Sequence, residues 1–330
     1  MGIKIKDIEY FLPERVITNR EMEHEFPDWS AEKIEEKTGI QERHVVVNET
    51  SLDLAIQACE KLFLKHNKDQ IDFVLFCTQS PDYFLPTTAC ILQNKLGLRR
   101  NIGALDFNLG CSGYVYGLAL AKGLINTGIA STLLLVTAET YTKFIHKKDK
   151  GNRTIFGDGA AATIVEKTSA EHIKEFVLGT DGSGFQNLIV SNGALRNKYN
   201  ALAPEINEEG NIRTENNLFM NGPEIFNFTI GAVPILVNEV LAKNGLTMEQ
   251  IDYVIFHQAN KYMLSYLRKK IKIPEEKFYM NMLKTGNTVS STIPIALKDC
   301  TDEQRIKKGD KVLLVGFGVG YSWGATVVEW

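Results

Sequence analysis

The sequence predicts an α/β protein built from two copies of one α/β unit. Two observations carry this. First, short continuous apolar runs, of the kind that make strands buried on both faces, alternate with helix-length amphipathic segments. That alternation implies mostly parallel sheets covered by helices. Second, segments recur in order at a nearly constant offset. Ile71-Asp-Phe-Val-Leu-Phe-Cys77 matches Ile251-Asp-Tyr-Val-Ile-Phe-His257, 180 residues later, and Leu133-Leu-Leu-Val136 matches Val312-Leu-Leu-Val315, 179 later. Gly110-Cys111-Ser112 falls opposite Gly286-Asn287-Thr288, and Ala162-Thr-Ile-Val-Glu166 opposite Ala325-Thr-Val-Val-Glu329. A repeat of this length points to an internal duplication. We place the halves at 1–170 and 171–330, packed about a pseudo-twofold axis that turns equivalent strand ends toward each other.

In chain order, residues 3–10 read as a strand. Asn19–Phe26 and Ser30–Lys37 read as short helices, the second capped by Ser30. Ser51–His66 is a helix capped by Ser51, with Leu52, Ala55, Ile56, Cys59, Leu62 and Phe63 on one face; its counterpart is Asn227–Leu241. Strands follow at 71–78, 102–107, 132–138 and 160–166, with helices at 87–96 and 112–126. Residues 186–223 are rich in Asn, Glu and Gly and lack periodicity. They read as an extended surface segment, either a solvated loop or one near a substrate entrance. Lys147–Lys150 and Arg268–Lys270 read as solvated charge runs.

A chain of 330 residues with 44% apolar and 23% charged residues is an ordinary globular composition. A net charge of −3 gives no support for nucleic-acid binding. The five cysteines, Cys59, Cys77, Cys90, Cys111 and Cys300, form neither a C-x-x-C pair nor a metal-ligand spacing with histidine, which points to a reducing, cytoplasmic setting. The N-terminus alternates like a strand and lacks a signal-peptide core. Lys6 breaks the myristoylation pattern. The stretch Gly123–Ala138 is too short and polar to span a bilayer. No metal and no membrane association is expected.

Three motifs carry chemistry. Cys111 stands at a Gly-Cys-Ser-Gly turn between a strand and a helix, where orphan backbone N–H groups and the helix dipole favour its thiolate. Taken alone it reads more readily as a small apolar residue packed at a strand–helix junction. His257 ends a buried strand in Phe256-His257-Gln-Ala-Asn260. Asn287 follows Gly286 before an apolar helix. Alone, each of these two is the pattern of a structural residue. Together, and placed by the duplication, they favour catalysis. A fourth stretch, Gly316-Phe-Gly-Val-Gly320, has glycines that let backbone N–H groups approach a ligand, as an oxyanion site requires.

With these motifs in hand, the sequence resembles the β-ketoacyl-acyl-carrier-protein synthase III family of the thiolase-like superfamily over almost its whole length. The resemblance rests on Thr38-Gly-Ile-Gln-Glu-Arg43, the Cys111 stretch, Phe156-Gly-Asp-Gly-Ala160, His257-Gln-Ala-Asn260, Gly286-Asn287-Thr288 and the terminal glycine loop. It implies a layered α-β-α-β-α fold, a homodimer, and a catalytic triad of Cys111, His257 and Asn287. It also implies backbone oxyanion donors at Cys111 and Val319. Cys111 would take an acyl group from acyl-CoA or acyl-ACP, and a malonyl-ACP would then lose carbon dioxide and attack it, giving a 3-oxoacyl-ACP for fatty acid biosynthesis. No cofactor is implied; coenzyme A or phosphopantetheine enters as part of the substrate, and the acyl carrier protein is the partner.

By the same resemblance Leu85, Tyr141, Phe156 and Phe317 line the acyl pocket, with Leu85 replacing a common Phe. Carrier or coenzyme A contacts fall on Lys33, Lys150, Asn260, Lys269 and Lys270. Lys33 and Lys150 stand where a Trp and an Arg clamp adenine in well-known members, and Lys cannot stack a purine as those do. Trp29 is displaced by four positions, Pro223 replaces a pantetheine-contacting Asn, and Tyr262 replaces a basic residue beside Lys261. These departures favour a carrier-bound donor and a specialised pathway. Two alternatives stay open: transfer of the acyl group to an alcohol or amine without decarboxylation, and a catalytically silent partner subunit.

Overall fold

The computed structural model describes residues 2–200, 204–206 and 210–330. Its first half contains β1 (Gly2–Phe11), α1 (Asn19–Glu25), α2 (Ala31–Thr38), α3 (Ser51–Phe63), β2 (Phe73–Cys77), α4 (Thr88–Lys95), β3 (Gly103–Phe107), α5 (Gly113–Asn126), β4 (Thr132–Glu139) and β5 (Gly159–Thr168). The second half contains β6 (Val177–Thr180), α6 (Gly222–Lys243), β7 (Tyr253–Phe256), α7 (Lys261–Ile271), β8 (Phe278–Tyr279), α8 (Thr292–Asp302), β9 (Lys311–Gly318) and β10 (Ser322–Glu329).

The strands form two five-stranded sheets, β1-β5-β4-β2-β3 and β6-β10-β9-β7-β8. The orders correspond strand for strand. So do the directions: the first two joins of each sheet are antiparallel and the last two parallel. The mostly parallel sheets expected from sequence are therefore present with one reversed strand each, β5 and β10. In the second sheet the reversal follows from a tight β9–β10 connection, which only antiparallel neighbours allow.

Three apolar clusters define the layers. Leu54, Ala58 and Leu62 of α3 and Leu92 of α4 pack on Val74, Val136 and Ile164 of the first sheet. Val115, Leu118 and Ile125 of α5 and Ile293 and Leu297 of α8 fill the space between the sheets, against Leu75, Leu135, Leu314 and Val328. Val233, Val237 and Val240 of α6 and Leu264 and Leu267 of α7 cover the outer face of the second sheet. Helix α5 comes close to the first sheet because Gly117 has no Cβ; one placed there would lie 2.6 Å from Leu135 Cδ1.

Two helix starts depart from the sequence reading, and α3 stops at Phe63 rather than His66. Thr50, not Ser51, caps α3: its hydroxyl accepts from Asp53 N at 3.3 Å, and the Asp53 carboxylate accepts from Thr50 N at 2.9 Å. Ser51 is buried and donates to Ser80 O instead (2.8 Å). Helix α6 starts five residues before Asn227, capped by Asn221, whose side chain accepts from Glu224 N at 3.3 Å. Pro223 sits in its first turn, where no N–H is needed. By length and composition α6 could cross a membrane, but its apolar stripe belongs to the core of the second half. Ser30 caps α2 as expected, accepting from Lys33 N at 3.2 Å.

The segment 186–223 is not a plain loop. Leu188–Ile189 pairs with Phe219–Met220, and Glu205–Ile206 with Ile212–Arg213. Residues 201–203 and 207–209 of it lie outside the described residues.

Candidate active site

Cys111 occupies the turn between β3 and α5, Gly113 N donating to Gly110 O at 2.8 Å to close it. The glycine loop at the end of β9 wraps the sulfur. A Cβ at Gly318 would lie 2.8 Å from both Cβ and Sγ of Cys111, and one at Gly316 would lie 2.7 Å from Ser112 Cα. The backbone N–H groups of Val319 and of Cys111 act on the sulfur. The equivalent turn of the second half carries Asn287. It is fixed by main-chain bonds from Asn287 N to Ile155 O (2.9 Å) and from Gly157 N to Asn287 O (3.0 Å).

His257 follows β7, its N–H bonded to Val315 O at 2.8 Å. Its Nδ1 lies 2.7 Å from Thr292 Oγ1, at the start of α8, and that hydroxyl also lies 3.1 Å from Val289 O. The edge of the imidazole meets Phe317, with ring centres 5.7 Å apart. The Asn287 amide is aimed by its own neighbours: Oδ1 accepts from Val289 N at 2.9 Å and Nδ2 donates to Ala259 O at 3.4 Å. Val289 adopts φ 56° to supply that N–H, a backbone state costly for a β-branched residue and typical of sites that need it.

Cys111, His257 and Asn287 are all buried and line one cavity of about 50 Å³ with Phe156, Phe317 and Met263. Ile155, Met220 and Asn260 also line an adjoining larger cleft of about 660 Å³, whose other walls include Trp29, Arg213 and Tyr262.

Burial sets the protonation states. It pushes the Cys111 thiol up to about 12, against the pull of the Val319 and Cys111 N–H groups. The thiolate favoured by the sequence reading is thus overruled: the helix-start donors are present, but desolvation outweighs them. Burial pushes His257 down to about 3, opposed by the Val289 carbonyl. The resting pair is a neutral thiol beside a neutral imidazole.

Two family models match the chain, 3-oxoacyl-[acyl-carrier-protein] synthase III over residues 105–182 and its C-terminal region over residues 241–330. A β-ketoacyl-[acyl-carrier-protein] synthase III of Clostridium perfringens is 36% identical over 97% of this chain and 96% of its own length. The chain belongs to the β-ketoacyl-acyl-carrier-protein synthase III family.

Solved structures of synthase III proteins agree. One crystal structure of a 3-oxoacyl-(acyl-carrier-protein) synthase III is 50% identical with a TM-score of 0.98 over the full length of both chains. The synthase from Burkholderia xenovorans is 36% identical with a TM-score of 0.91, over 99% of this chain and 94% of that one. The chain is an acyltransferase of the condensing synthase III type with the thiolase-like fold.

Against this background the substrate-side residues divide. Phe156 and Phe317 line the Cys111 cavity. Tyr141 does not; it packs behind Phe156 with ring centres 5.3 Å apart and donates to Gln79 Oε1 at 3.0 Å. Leu85 stands outside the cavity of its own chain, 82% exposed on the loop before α4 with Tyr83 and Phe84, so its side chain packs on nothing in its own chain that could bring it to the site. Lys33 and Lys150 stand at the cleft mouth around Trp29, each ammonium 5.8 Å from its ring centre, and Lys37 lies at 5.4 Å. Trp29, displaced in sequence, is thus at the cleft in space. Asn260 lines both cavity and cleft, but its Oδ1 caps α7, accepting from Met263 N at 2.9 Å. Lys269 and Lys270 are exposed at the end of α7, Lys270 donating to Ile230 O at 2.8 Å.

Sequence reasoning passed over Thr292, although it lies five positions after Asn287 in the same motif. It also passed over Glu139, a fully buried carboxyl that accepts from Gln79 N (3.1 Å), Ser80 Oγ (2.9 Å) and Ser290 Oγ (2.9 Å). Among the described residues, no group of three or more His, Cys, Asp or Glu converges as a metal site.

Proposed function

We propose that Cys111, His257 and Asn287 carry out a two-stage, decarboxylating Claisen condensation through an acyl-cysteine. The observation that carries the reading is the convergence of these three side chains in one buried cavity that shares walls with a larger cleft. In the first stage Cys111 Sγ bonds to the carbonyl carbon of an acyl thioester, the carrier sulfur departs, and the thiol proton ends on that sulfur. The exchange leaves the charge of the site unchanged, which suits a neutral thiol beside a neutral ring. The N–H groups of Cys111 and Val319 receive the carbonyl oxygen.

In the second stage a malonyl thioester loses carbon dioxide, the enolate carbon bonds to the acyl carbonyl carbon, and Cys111 sulfur leaves as a thiolate that takes a proton from water to return to the resting thiol. Enolate charge collects on one oxygen, for which Asn287 Nδ2–H and His257 Nε2–H are the donors. Thr292 Oγ1 lies between His257 Nδ1 and Val289 O and has one proton to give; the Nε2–H donor used here requires that it go to Nδ1 and not to Val289 O. Lys33 and Lys150 beside Trp29, with Lys269 and Lys270 at the end of α7, are the surface cations that an acidic acyl carrier protein would meet. The repeats 1–170 and 171–330 then divide the labour, one holding the nucleophile and the other both donors. Acyl-CoA or acyl-ACP supplies the first group and malonyl-ACP the second, with no other cofactor, in the cytoplasm. We also infer a homodimer, supported by the unpaired outer edge of β3 and by Tyr83, Phe84 and Leu85 standing exposed beside it.

The test follows the Cys111 adduct by intact mass and carbon dioxide release from a malonyl thioester. The wild-type protein should gain the acyl mass and release carbon dioxide, and Cys111→Ala should lose the adduct. Asn287→Ala should keep acylation within about twofold and lose about 10²–10³ in decarboxylation, the worth of an oxyanion donor. An adduct with no carbon dioxide release would sink the condensation and point to transfer onto an alcohol or amine. No adduct at all would mark a silent subunit. Equal losses in both stages would contradict the role given to Asn287.

A further inference from the structure

One buried acid takes no part in the two stages above: Glu139, at the end of β4. It sits in a line of polar groups that runs from the surface to the back of the Cys111 turn. On the outer side, Ser80 Oγ donates to Glu139 Oε2 at 2.9 Å and lies 2.8 Å from Ser51 Oγ, and Thr140 N donates to Ser80 Oγ at 2.9 Å. Ser80 and Thr140 line a pocket of about 210 Å³ with Thr50, Pro81, Asp82 and Lys143. Pro81 and Lys143 are exposed, so the pocket opens at the surface. On the inner side, Gln79 N and Ser290 Oγ donate to Glu139. Both residues border the turn that holds Cys111. A Cβ at Gly110 would lie 2.5 Å from Gln79 Oε1, and one at Gly113 would lie 3.6 Å from Ser290 Cβ. The charge of an ionised Glu139 reaches the Cys111 thiol and raises it.

The second stage needs a proton at this place. The malonyl carboxylate brings a negative charge, carbon dioxide and the 3-oxoacyl thioester carry none away, and the charge is left on Cys111 sulfur. Each condensation therefore takes up a proton, at a sulfur whose burial makes a lone thiolate costly. We propose that Glu139 is the proton inlet of the second stage. As the enolate carbon bonds to the acyl carbon and the bond from that carbon to Cys111 sulfur breaks, the Glu139 O–H proton passes to the sulfur. The carboxylate left behind takes a proton from water through Ser80 and the outer pocket. Burial keeps the carboxyl protonated at neutral pH, with its titration raised to about 8. The inference rests on the condensation reading above and gives the route by which the proton of water arrives.

The experiment loads Cys111 with acetyl, butyryl, hexanoyl or octanoyl pantetheine and checks the adduct by intact mass. It then follows the 3-oxoacyl product after mixing with excess malonyl-pantetheine between pH 7 and pH 9.5. In that window Cys111 is acylated and His257 is neutral. Of the groups that face Glu139, Asp158 before β5 titrates lower, near 6, while Cys77 of β2 and Tyr141 are raised well above their usual values. Asp82 and Lys143 stand at the outer pocket. Wild-type product formation should fall about tenfold per pH unit above about 8, while loading of the free thiol does not fall. Glu139→Gln should load within about threefold of wild type, form product at least tenfold more slowly at pH 7, and lose the fall above 8. Glu139→Asp keeps a carboxyl and should regain that fall. A wild-type product rate that stays flat from pH 7 to pH 9.5 would overturn the proposal without any variant. So would Glu139→Gln forming product at the wild-type rate, or losing loading and product formation equally. Wild type that loads but yields no product would instead overturn the condensation reading, and wild type that never loads would overturn the acyl-cysteine itself.

Discussion

Glu139 shows how burial decides chemistry at the level of one residue. Desolvation raises its carboxyl to about 8, although Ser80, Gln79 and Ser290 all donate to it. The folded state therefore keeps a proton that the unfolded chain releases near 4.5. The stability tied to that proton is fully present below about 4.5 and is lost as pH rises through about 8. His257 works in the other direction, its low folded value costing stability as pH falls from 6.5 toward 3. Glu139→Gln keeps the shape and removes the titration. Its melting temperature relative to wild type should climb by several degrees between pH 5 and pH 8.5, checked by thermal melts across that range. A pH-independent difference would show that Glu139 does not titrate there. Cys111 and His257 were both legible in sequence as reactive types in strand-end positions. Their protonation states were not, because desolvation depends on which distant residues close over them.

Among the elements, the glycine loop at the end of β9 is the one whose shape the site cannot do without. The run Gly316-Phe-Gly-Val-Gly320 was readable as a place where backbone comes close to something. What it comes close to is Cys111 itself. Gly318→Ala places a methyl group 2.8 Å from Cys111 Sγ, so either the sulfur or the Val319 N–H must shift. We expect acyl loading to fall by about 10² with the fold retained, measured as adduct formation alongside circular dichroism. Unchanged loading would show that the loop has room to spare. Helix positions were also readable, from caps and apolar stripes, while two starts were misplaced. Ser51 and Thr50 are both good caps by type, and only the buried Ser51–Ser80 bond decides between them. The start of α6 was hidden by Gly222-Pro223, which reads as a turn although Pro is well suited to a first helical turn.

For the molecule as a whole, the duplication is the organising fact. Two sheets of the same strand order pack through α5 and α8, and the turns that precede these helices bring Cys111 and Asn287 to one cavity. The same architecture leaves β3 as an open sheet edge, next to Phe84, 77% exposed. A homodimer closing that edge predicts elution at twice the chain mass. Phe84→Asp should shift the protein toward the monomer in sedimentation or light scattering, through a buried charge at the interface. A wild-type monomer at micromolar concentration would refute the arrangement.

The sequence by itself determined the α/β class, the duplication, the strand-end and turn positions of Cys111, His257 and Asn287, and the glycine loop. Each is written in local patterns: apolar runs, a repeat offset, a residue type beside a turn. Only the tertiary structure decided that Leu85 leaves the cavity of its own chain, that Tyr141 backs Phe156 rather than lining the site, and that Trp29 reaches the cleft. It also decided that the thiol and the imidazole rest neutral. These depend on volume and burial, which are sums over residues far apart in the chain, and no single stretch of sequence contains them.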